Sequence, residues 1–166
     1  FHLISITDKK TSETAPYIDL EHIYPSKYSH LESEISNLHQ KMVERLQIPV
    51  GPLVSEWKIN QGKFYLIEIS PQVPGEMLPN FLIPKVCNYN YFANLVKVTC
   101  GMAPEPLPKK SRAGRIKYLP VRIPRDDWDE MKKEAAFAKV LRAENVEMPL
   151  DNNGRFGVMG YIDQNL

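Results

Sequence analysis

The spacing of apolar and polar residues predicts one clear helix in the first third of the chain. Between residues 30 and 46 the apolar side chains recur at the three- and four-residue spacing of a helical face. Ser29 followed by Glu32 is a capping-box start, in which each side chain bonds the backbone of the other residue. Pro49 closes the segment because proline cannot continue a helix.

Two runs of alternating apolar and polar residues follow, at 53–59 and 63–70. Asn60, Gln61 and Gly62 separate the runs, and this composition is typical of a hairpin turn. We predict a β-hairpin closed by a three-residue loop, with Gly62 in the left-handed conformation that such a loop requires.

The other elements are predicted from the same two periodicities. Together they favour an α+β fold, with a mostly antiparallel sheet backed by helices. The predicted strands are 1–7, 16–20, 115–123 and 155–162, and the predicted helices are a broken one at 77–86, one capped by Asn88 and stopped by Gly101, and one at 126–143.

A proline-rich segment divides the chain into two unequal parts. Residues 102–112 carry three prolines in alternate positions, followed by Lys109 and Lys110, which is the composition of an extended connection. We predict one subdomain at 1–101, and a linker with a small carboxyl-terminal extension at 102–166.

Composition narrows the classes of partner. The chain is 43% apolar and 25% charged with a formal net charge of +1, so it has no overall basic field to attract nucleic acid. No apolar run approaches the roughly 20 residues that cross a bilayer. Cys87 and Cys100 form no C-x-x-C pair. We expect a reduced, cytoplasmic protein with no nucleic-acid or membrane partner.

The predicted hairpin carries the candidate chemistry. Its three-residue loop puts Val54 opposite Glu68, so that Glu56 and Glu68 are diagonal neighbours on one face, about 7 Å apart at Cβ. Ser70 projects from the same face. Two carboxylates this close repel each other unless a cation compensates them, and magnesium prefers such oxygen ligands. The alternative is that both Glu lie on a solvated strand face, which is common in amphipathic hairpins.

The wider sequence around these carboxylates resembles the hallmark segment of ATP-grasp enzymes. That segment has a Glu on one strand, a turn with Gly, an apolar run into Glu-Ile-Asn-Pro-Arg, and then Gly. Residues 51–56, 62–72 and 74–75 are similar to it. Residues 6–9 and His22 ahead of Pro25 are similar to the amino-acid ligase and carboxylate–amine ligase branches. The resemblance covers residues 1–101 and implies the carboxyl-terminal half of an ATP-grasp fold.

The resemblance implies a metal site and a substrate site. Glu56 and Glu68 would hold magnesium on the phosphates of ATP, and Ser70 stands where the family usually has a ligating Asn. Gln72 replaces the Arg expected to hold a substrate carboxylate or the transferring phosphate, which exchanges a charged fork for a neutral amide. The implied substrate-binding residues are His22, Gln72 and Gly75, and no residue is assigned as catalytic. The alternative for His22 is a surface or strand-end histidine, and the alternative for Gly75 is a plain turn.

The implied function is ATP-dependent ligation of a small carboxylate to an amine or another nucleophile through an acyl phosphate. The groups that grip most of the nucleotide would lie in an amino-terminal half of the same protein, so the isolated chain is expected to be inactive. One alternative is a nucleotide-binding or structural module that has lost its chemistry, with Gln72 as the trace of that loss. Another is an unrelated α+β interaction domain, which an even-numbered hairpin loop would favour.

Overall fold

A five-stranded antiparallel sheet and a separate two-stranded hairpin form the β-structure of the chain. The computed structural model describes residues 1–108, 111–142 and 148–163 of the 166. The strands are β1 (Asp8–Thr11), β2 (Asp19–Tyr24), β3 (Val54–Asn60), β4 (Lys63–Ser70), β5 (Gly114–Leu119), β6 (Phe137–Val140) and β7 (Gly157–Ile162). The large sheet has the order β1-β2-β5-β7-β6, and the hairpin is β3-β4.

Four α-helices accompany these strands within the described residues, which confirms the predicted α+β class. None of those helices is long and apolar enough to cross a membrane. They are α1 (Glu32–Leu46), α2 (Ile83–Cys87), α3 (Tyr91–Thr99) and α4 (Arg125–Glu134), with shorter 3-10 turns at Ser29–Leu31 and Asn152–Gly154 and a π-helical turn at Leu78–Leu82.

One line of cross-strand partners runs across the whole sheet and faces the main core. Its members are Lys9, His22, Ile116, Gly160 and Phe137. Directly opposite residues of antiparallel strands point to the same face. This face packs against the turn and helix that follow residue 77. The buried core side chains there include Phe81, Leu82 and Val86, which pack in one cluster with Val158 of β7.

The opposite face of the sheet packs against α4. Trp128 of this helix contacts Phe156 edge-to-face, with ring centroids 5.6 Å apart, and both pack with Met159. The two apolar clusters therefore cover opposite sides of the same sheet. Because β5 hydrogen bonds to β2 on one side and to β7 on the other, strands from before and after residue 101 form one sheet. The division of the chain at 101 stays a prediction.

The prediction of a strand at residues 1–7 was wrong. The first strand begins at Asp8 instead. The Ile6 carbonyl accepts a hydrogen bond from the Ser26 N–H, outside any strand ladder. Ile4 packs against the main core without strand pairing. The alternating apolar pattern thus reflects packing rather than a ladder. The next strand, predicted at 16–20, occupies Asp19–Tyr24.

The predicted helix at 126–143 divides into a helix and a strand. Helix α4 ends at Glu134, and Phe137–Val140 form β6 against β7. The Ala136 N–H donates to the Gly160 carbonyl at 2.8 Å, which begins this pairing. Tertiary pairing has overridden the helical spacing. Ala143, Lys109 and Lys110 lie outside the described residues.

The predicted helix caps also differ in detail. Helix α3 is capped by Asn90, whose side chain accepts from the Ala93 N–H, and Asn88 instead takes the left-handed conformation at the end of α2. Ser29 opens a 3-10 turn, and α1 begins without a side-chain cap. The predicted capping box therefore does not form, although the predicted helix does.

A substitution at Gly160 tests how closely the sheet packs against the core. A Cβ at this position would lie 2.1 Å from Cε1 of Phe81. We predict that Gly160→Ala lowers the free energy of unfolding by about 1–3 kcal/mol, because an overpacked core must shift its backbone or side chains. The control is Gly75→Ala, where a Cβ would meet nothing within 4 Å. Urea unfolding of both variants measures the difference; equal stabilities would contradict this packing.

Candidate functional site

The hairpin turn has two residues, so the prediction of a three-residue loop was wrong. Asn60 pairs with Lys63, which leaves only Gln61 and Gly62 in the loop. Both residues have positive φ, 49° and 72°, as a type I′ turn requires. With regular pairing this even-numbered loop would place Glu56 and Glu68 on opposite faces, because their positions differ by twelve.

A β-bulge restores the shared face. The register shifts between Glu56 and Trp57, so that Ile67 is an extra residue on β4. Glu56 is therefore directly opposite Glu68, and the expected pairing of Val54 with Glu68 was wrong. The prediction that the two carboxylates share one face is confirmed. Because the bulge offsets the even-numbered loop, this loop no longer favours an unrelated interaction domain.

The shared face presents three oxygen donors. Directly opposite residues have Cβ atoms about 4.5–5.5 Å apart, closer than the diagonal arrangement we expected. Ser70 is two residues beyond Glu68 on β4, pairs with Val54, and so lies on the same face. Glu56 is partly buried and Glu68 is exposed. Two carboxylates and a hydroxyl form a donor set that suits magnesium.

Helix α1 holds the other face of the hairpin. The His39 Nδ1 hydrogen bonds to the Ile35 carbonyl, and its Nε2 pairs with the Ser55 hydroxyl through a very short contact. The same hydroxyl accepts a hydrogen bond from the Trp57 indole at 2.7 Å. Because Ser55 precedes Glu56 on β3, these contacts fix the strand that carries the first carboxylate.

Lys9 connects the hairpin to the large sheet. Its ammonium lies 2.7 Å from each carboxylate oxygen of Glu56 and 3.4 Å from Asp19 Oδ1. Partial burial lowers the pKa of Lys9, but the hydrogen bond to Glu56 and the charges of both carboxylates outweigh it, and the net pKa is raised. The side chain of Lys9 therefore stays protonated and adds a positive charge to the site.

His22 lies beside Lys9 as its direct cross-strand partner. The side chain is buried, and neither ring nitrogen has a hydrogen-bond partner among the described residues. Burial lowers the pKa of His22 despite the opposing effect of Glu76 and Asp19, while Lys9 adds to the lowering. A neutral imidazole with both nitrogens available is suited to recognising a ligand.

Asp19 and Glu76 complete the surroundings of His22. One donor atom from each of the three residues lies within 4.8 Å of the others. Arg155 grips both oxygens of Glu76, at 2.8 and 3.0 Å, and also donates to the Asp19 carbonyl at 3.1 Å. Asn152 donates to the Asp19 carboxylate at 2.7 Å. Both carboxylates are thus held in place and partly compensated.

Tyr118 lies beneath the guanidinium of Arg155, whose central carbon is 3.6 Å from the ring centroid. Stacking of this kind stabilises the cation over the ring face. Burial and the negative charge of Glu76 raise the pKa of Tyr118 well above its ordinary value, so the phenol stays protonated. Arg155 is therefore buried between an aromatic ring and a carboxylate.

Gln72 and Gly75 lie on the exposed segment after β4. The Gln72 N–H donates to the Ser70 carbonyl at 2.9 Å, and the Gly75 carbonyl accepts from the Leu78 N–H at 3.0 Å. Glu76 directly follows Gly75, which brings this segment next to Arg155. These contacts define a turn, and their suggested role in substrate binding stays a prediction.

Sequence reasoning missed most of the residues around His22. Lys9 lies within the segment that carries the family resemblance, and Glu76 directly follows Gly75. The sequence near each of these two residues could therefore have indicated that they belong to the site. Nothing in the neighbouring sequence indicated Asp19 or Arg155 as a site residue, because these two residues are 136 positions apart and meet only in the folded chain.

Comparisons with known proteins identify the fold. The L-amino acid ligase from Bacillus licheniformis superposes with a TM-score of 0.75 at 15% identity, over 99% of this chain and 45% of that chain. Phosphoribosylglycinamide synthetase from Anaerococcus prevotii gives 0.73 at 14% identity, over 96% and 44%. The ADP complex of N5-carboxyaminoimidazole synthetase from Staphylococcus aureus gives 0.67 at 14% identity, over 95% and 40%.

These similarities establish a shared architecture. The chain spans less than half the length of these solved structures. No protein-family model matches the sequence. No curated protein matches it either.

The buried His22 predicts a pH dependence of stability. The pKa of His22 in the folded chain is below the ordinary value of about 6.5. As the pH falls, His22 is therefore protonated at a higher pH in the unfolded chain than in the folded chain. The stability contributed by the neutral ring is present above about pH 6.5 and is lost as the pH falls toward the folded pKa. We predict that His22→Gln flattens the pH dependence of the urea-unfolding free energy between about pH 7 and 5. His2→Gln, at an exposed position, is the control, and equal slopes for both variants would contradict the prediction.

Proposed function

We propose that this chain, which has an ATP-grasp ligase-like fold, is the carboxyl-terminal half of an ATP-dependent ligase. The ligase would join a small carboxylate to an amine or another nucleophile through an acyl phosphate. The observation that carries the proposal is the direct pairing of Glu56 with Glu68 on the hairpin, at the place where the sequence resembles the hallmark segment of that superfamily.

The hairpin face fits magnesium by the chemistry of its donors. Glu56 and Glu68 would each give a carboxylate oxygen, and the Ser70 hydroxyl would ligate directly or through water. When bound, magnesium supplies neutralising charge to the phosphates of ATP during phosphoryl transfer. The contacts from His39 to Ser55 support this role because they keep β3 in position while the phosphates are bound.

The substrate end of the site would lie around His22. Because burial keeps this imidazole neutral near pH 7, it can donate one hydrogen bond and accept another without adding charge. Gln72 would position the substrate through its amide, since it cannot neutralise a carboxylate as an arginine does. The open space at Gly75 would let a ligand anion approach the backbone N–H.

The remaining partner would be the other half of the same ligase, which would grip most of the nucleotide. The solved structures are more than twice as long as the matched region, which supports this division of labour. A cytoplasmic location also belongs to the proposal. It is supported by two free cysteines, one buried and one exposed, in the part of the chain that the structure describes.

A second candidate is a nucleotide-binding module without ligase chemistry. Gln72 favours it, because the amide removes the permanent charge expected at this position. The two candidates agree on the metal site and differ in turnover, so activity measurements on the full-length protein decide between them.

The proposal predicts that the purified 166-residue chain has no ligase activity. It would hold magnesium-nucleotide weakly, since most nucleotide contacts would come from the other half. The measurement is phosphate release from ATP in the presence of candidate carboxylates and amines. Glu68→Gln at the proposed metal site controls for contaminating ATPase, which this change would leave intact. Turnover that Glu68→Gln abolishes would mean that this half carries the chemistry alone.

Two substitutions in the full-length protein test the ligase itself. Glu68→Gln should lower ligation at least a hundredfold to a thousandfold, because loss of electrostatic stabilisation of developing charge costs about 3–4 kcal/mol. Gln72→Ala should lower it by tenfold or less, about 1.4 kcal/mol, because a neutral amide only positions the substrate. The measurement is steady-state ligation at saturating magnesium and ATP. Wild-type turnover in Glu68→Gln would refute catalysis through this hairpin.

A further inference from the structure

The ammonium of Lys9 occupies a place that the proposed metal site would need. It donates to both oxygens of Glu56 at 2.7 Å, so each oxygen already has a cationic partner. Glu68, directly opposite, forms no ion pair within the described ranges 1–108, 111–142 and 148–163. The pair of carboxylates is therefore compensated on one side only.

A divalent ion and the Lys9 ammonium would compete for Glu56. A carboxylate shared with a metal must turn at least one oxygen toward it, and the close approach of two cations is unfavourable. The divalent ion carries twice the charge and can use Glu68 as well. Lys9 would therefore be the cation that moves when the metal binds.

The structure offers Lys9 a second acceptor close at hand. Asp19 Oδ1 is already 3.4 Å from the ammonium, while the other oxygen of that carboxylate holds Asn152. The lysine side chain is a flexible stem with a compact charge, so a small rotation exchanges one carboxylate for the other. Its side chain is 29% exposed, which leaves room for that movement.

We propose that Lys9 is an exchangeable counter-ion that holds Glu56 in the metal-free state and transfers to Asp19 when magnesium binds. This inference rests on the proposed magnesium site. In the metal-free state Lys9 prevents the two glutamates from repelling each other. In the metal-bound state it adds positive charge beside His22, its direct neighbour on the sheet. Metal occupancy on the hairpin is thereby coupled to the electrostatics of the pocket on the sheet.

The first test is Mn²⁺ binding to the 166-residue chain, measured by electron paramagnetic resonance. Lys9→Met removes the competitor and should tighten Mn²⁺ binding about tenfold or more, an effect of the size expected for one exchanged ion pair at a partly buried site. Lys10→Met is the matched control, because Lys10 is next to Lys9 on β1 but pairs with Glu21. It should bind Mn²⁺ like the wild type.

The second test uses the unmutated chain, so it does not depend on how Lys9→Met folds. Amine acetylation is followed by mass spectrometry with and without magnesium. Magnesium should change the labelling of Lys9, which exchanges Glu56 for the more buried Asp19, and should leave the labelling of Lys10 unchanged. Unchanged Lys9 labelling in the presence of bound metal would overturn the proposal.

Glu68→Gln separates failure of this inference from failure of the proposed function. If the wild type binds Mn²⁺ and Glu68→Gln does not, the metal site stands, and equal or weaker binding by Lys9→Met would refute the exchange alone. If neither the wild type nor Lys9→Met binds Mn²⁺, the magnesium site itself is refuted, and the exchange with it.

Discussion

The ladder on both sides of β5 is the constraint on which the rest of the structure depends. Its hydrogen bonds to β2 and β7 bring strands from the two ends of the chain into one sheet. That sheet places His22 in line with Ile116 and Gly160, and it brings Arg155, just before β7, to Glu76. Without this pairing the partly buried carboxylate of Glu76 would lose Arg155, its cationic partner, and an unpaired buried charge is costly.

Charge compensation then decides how the site is arranged. Two cations compensate three carboxylates. Lys9 pairs with Asp19 and Glu56, and Arg155 pairs with Glu76. Arg155 is buried, stacked and bidentate, which are the properties of a permanent partner. Lys9 is more exposed and bridges two carboxylates, as suits an exchangeable one. The permanent partner and the proposed exchangeable partner thus differ in chemistry.

The hairpin shows how two irregularities combine into one functional face. A two-residue turn alone would separate Glu56 from Glu68, and a bulge alone would do the same to a three-residue turn. Together, the turn at Gln61-Gly62 and the extra residue Ile67 put both carboxylates directly opposite each other. The result brings the two carboxylates closer than the diagonal arrangement that a regular hairpin with a three-residue loop would have given, which favours a shared cation.

The sequence by itself determined the features that depend on local pattern. Helical spacing predicted α1, alternation with a Gly-containing turn predicted the hairpin, and the pair Glu56 and Glu68 with its flanking residues indicated an ATP-grasp fold. These follow from periodicity and short motifs, which neighbouring residues encode among themselves.

Only the tertiary structure decided the bulge at Ile67, the conversion of residues 137–140 from predicted helix to β6, and the surroundings of His22. The bulge changes which residues face each other without any composition that marks it. Strand β6 exists because β7 offers it a partner. Arg155 reaches Glu76 across 79 positions, and no local pattern of either segment encodes a contact that forms only when the sheet is assembled.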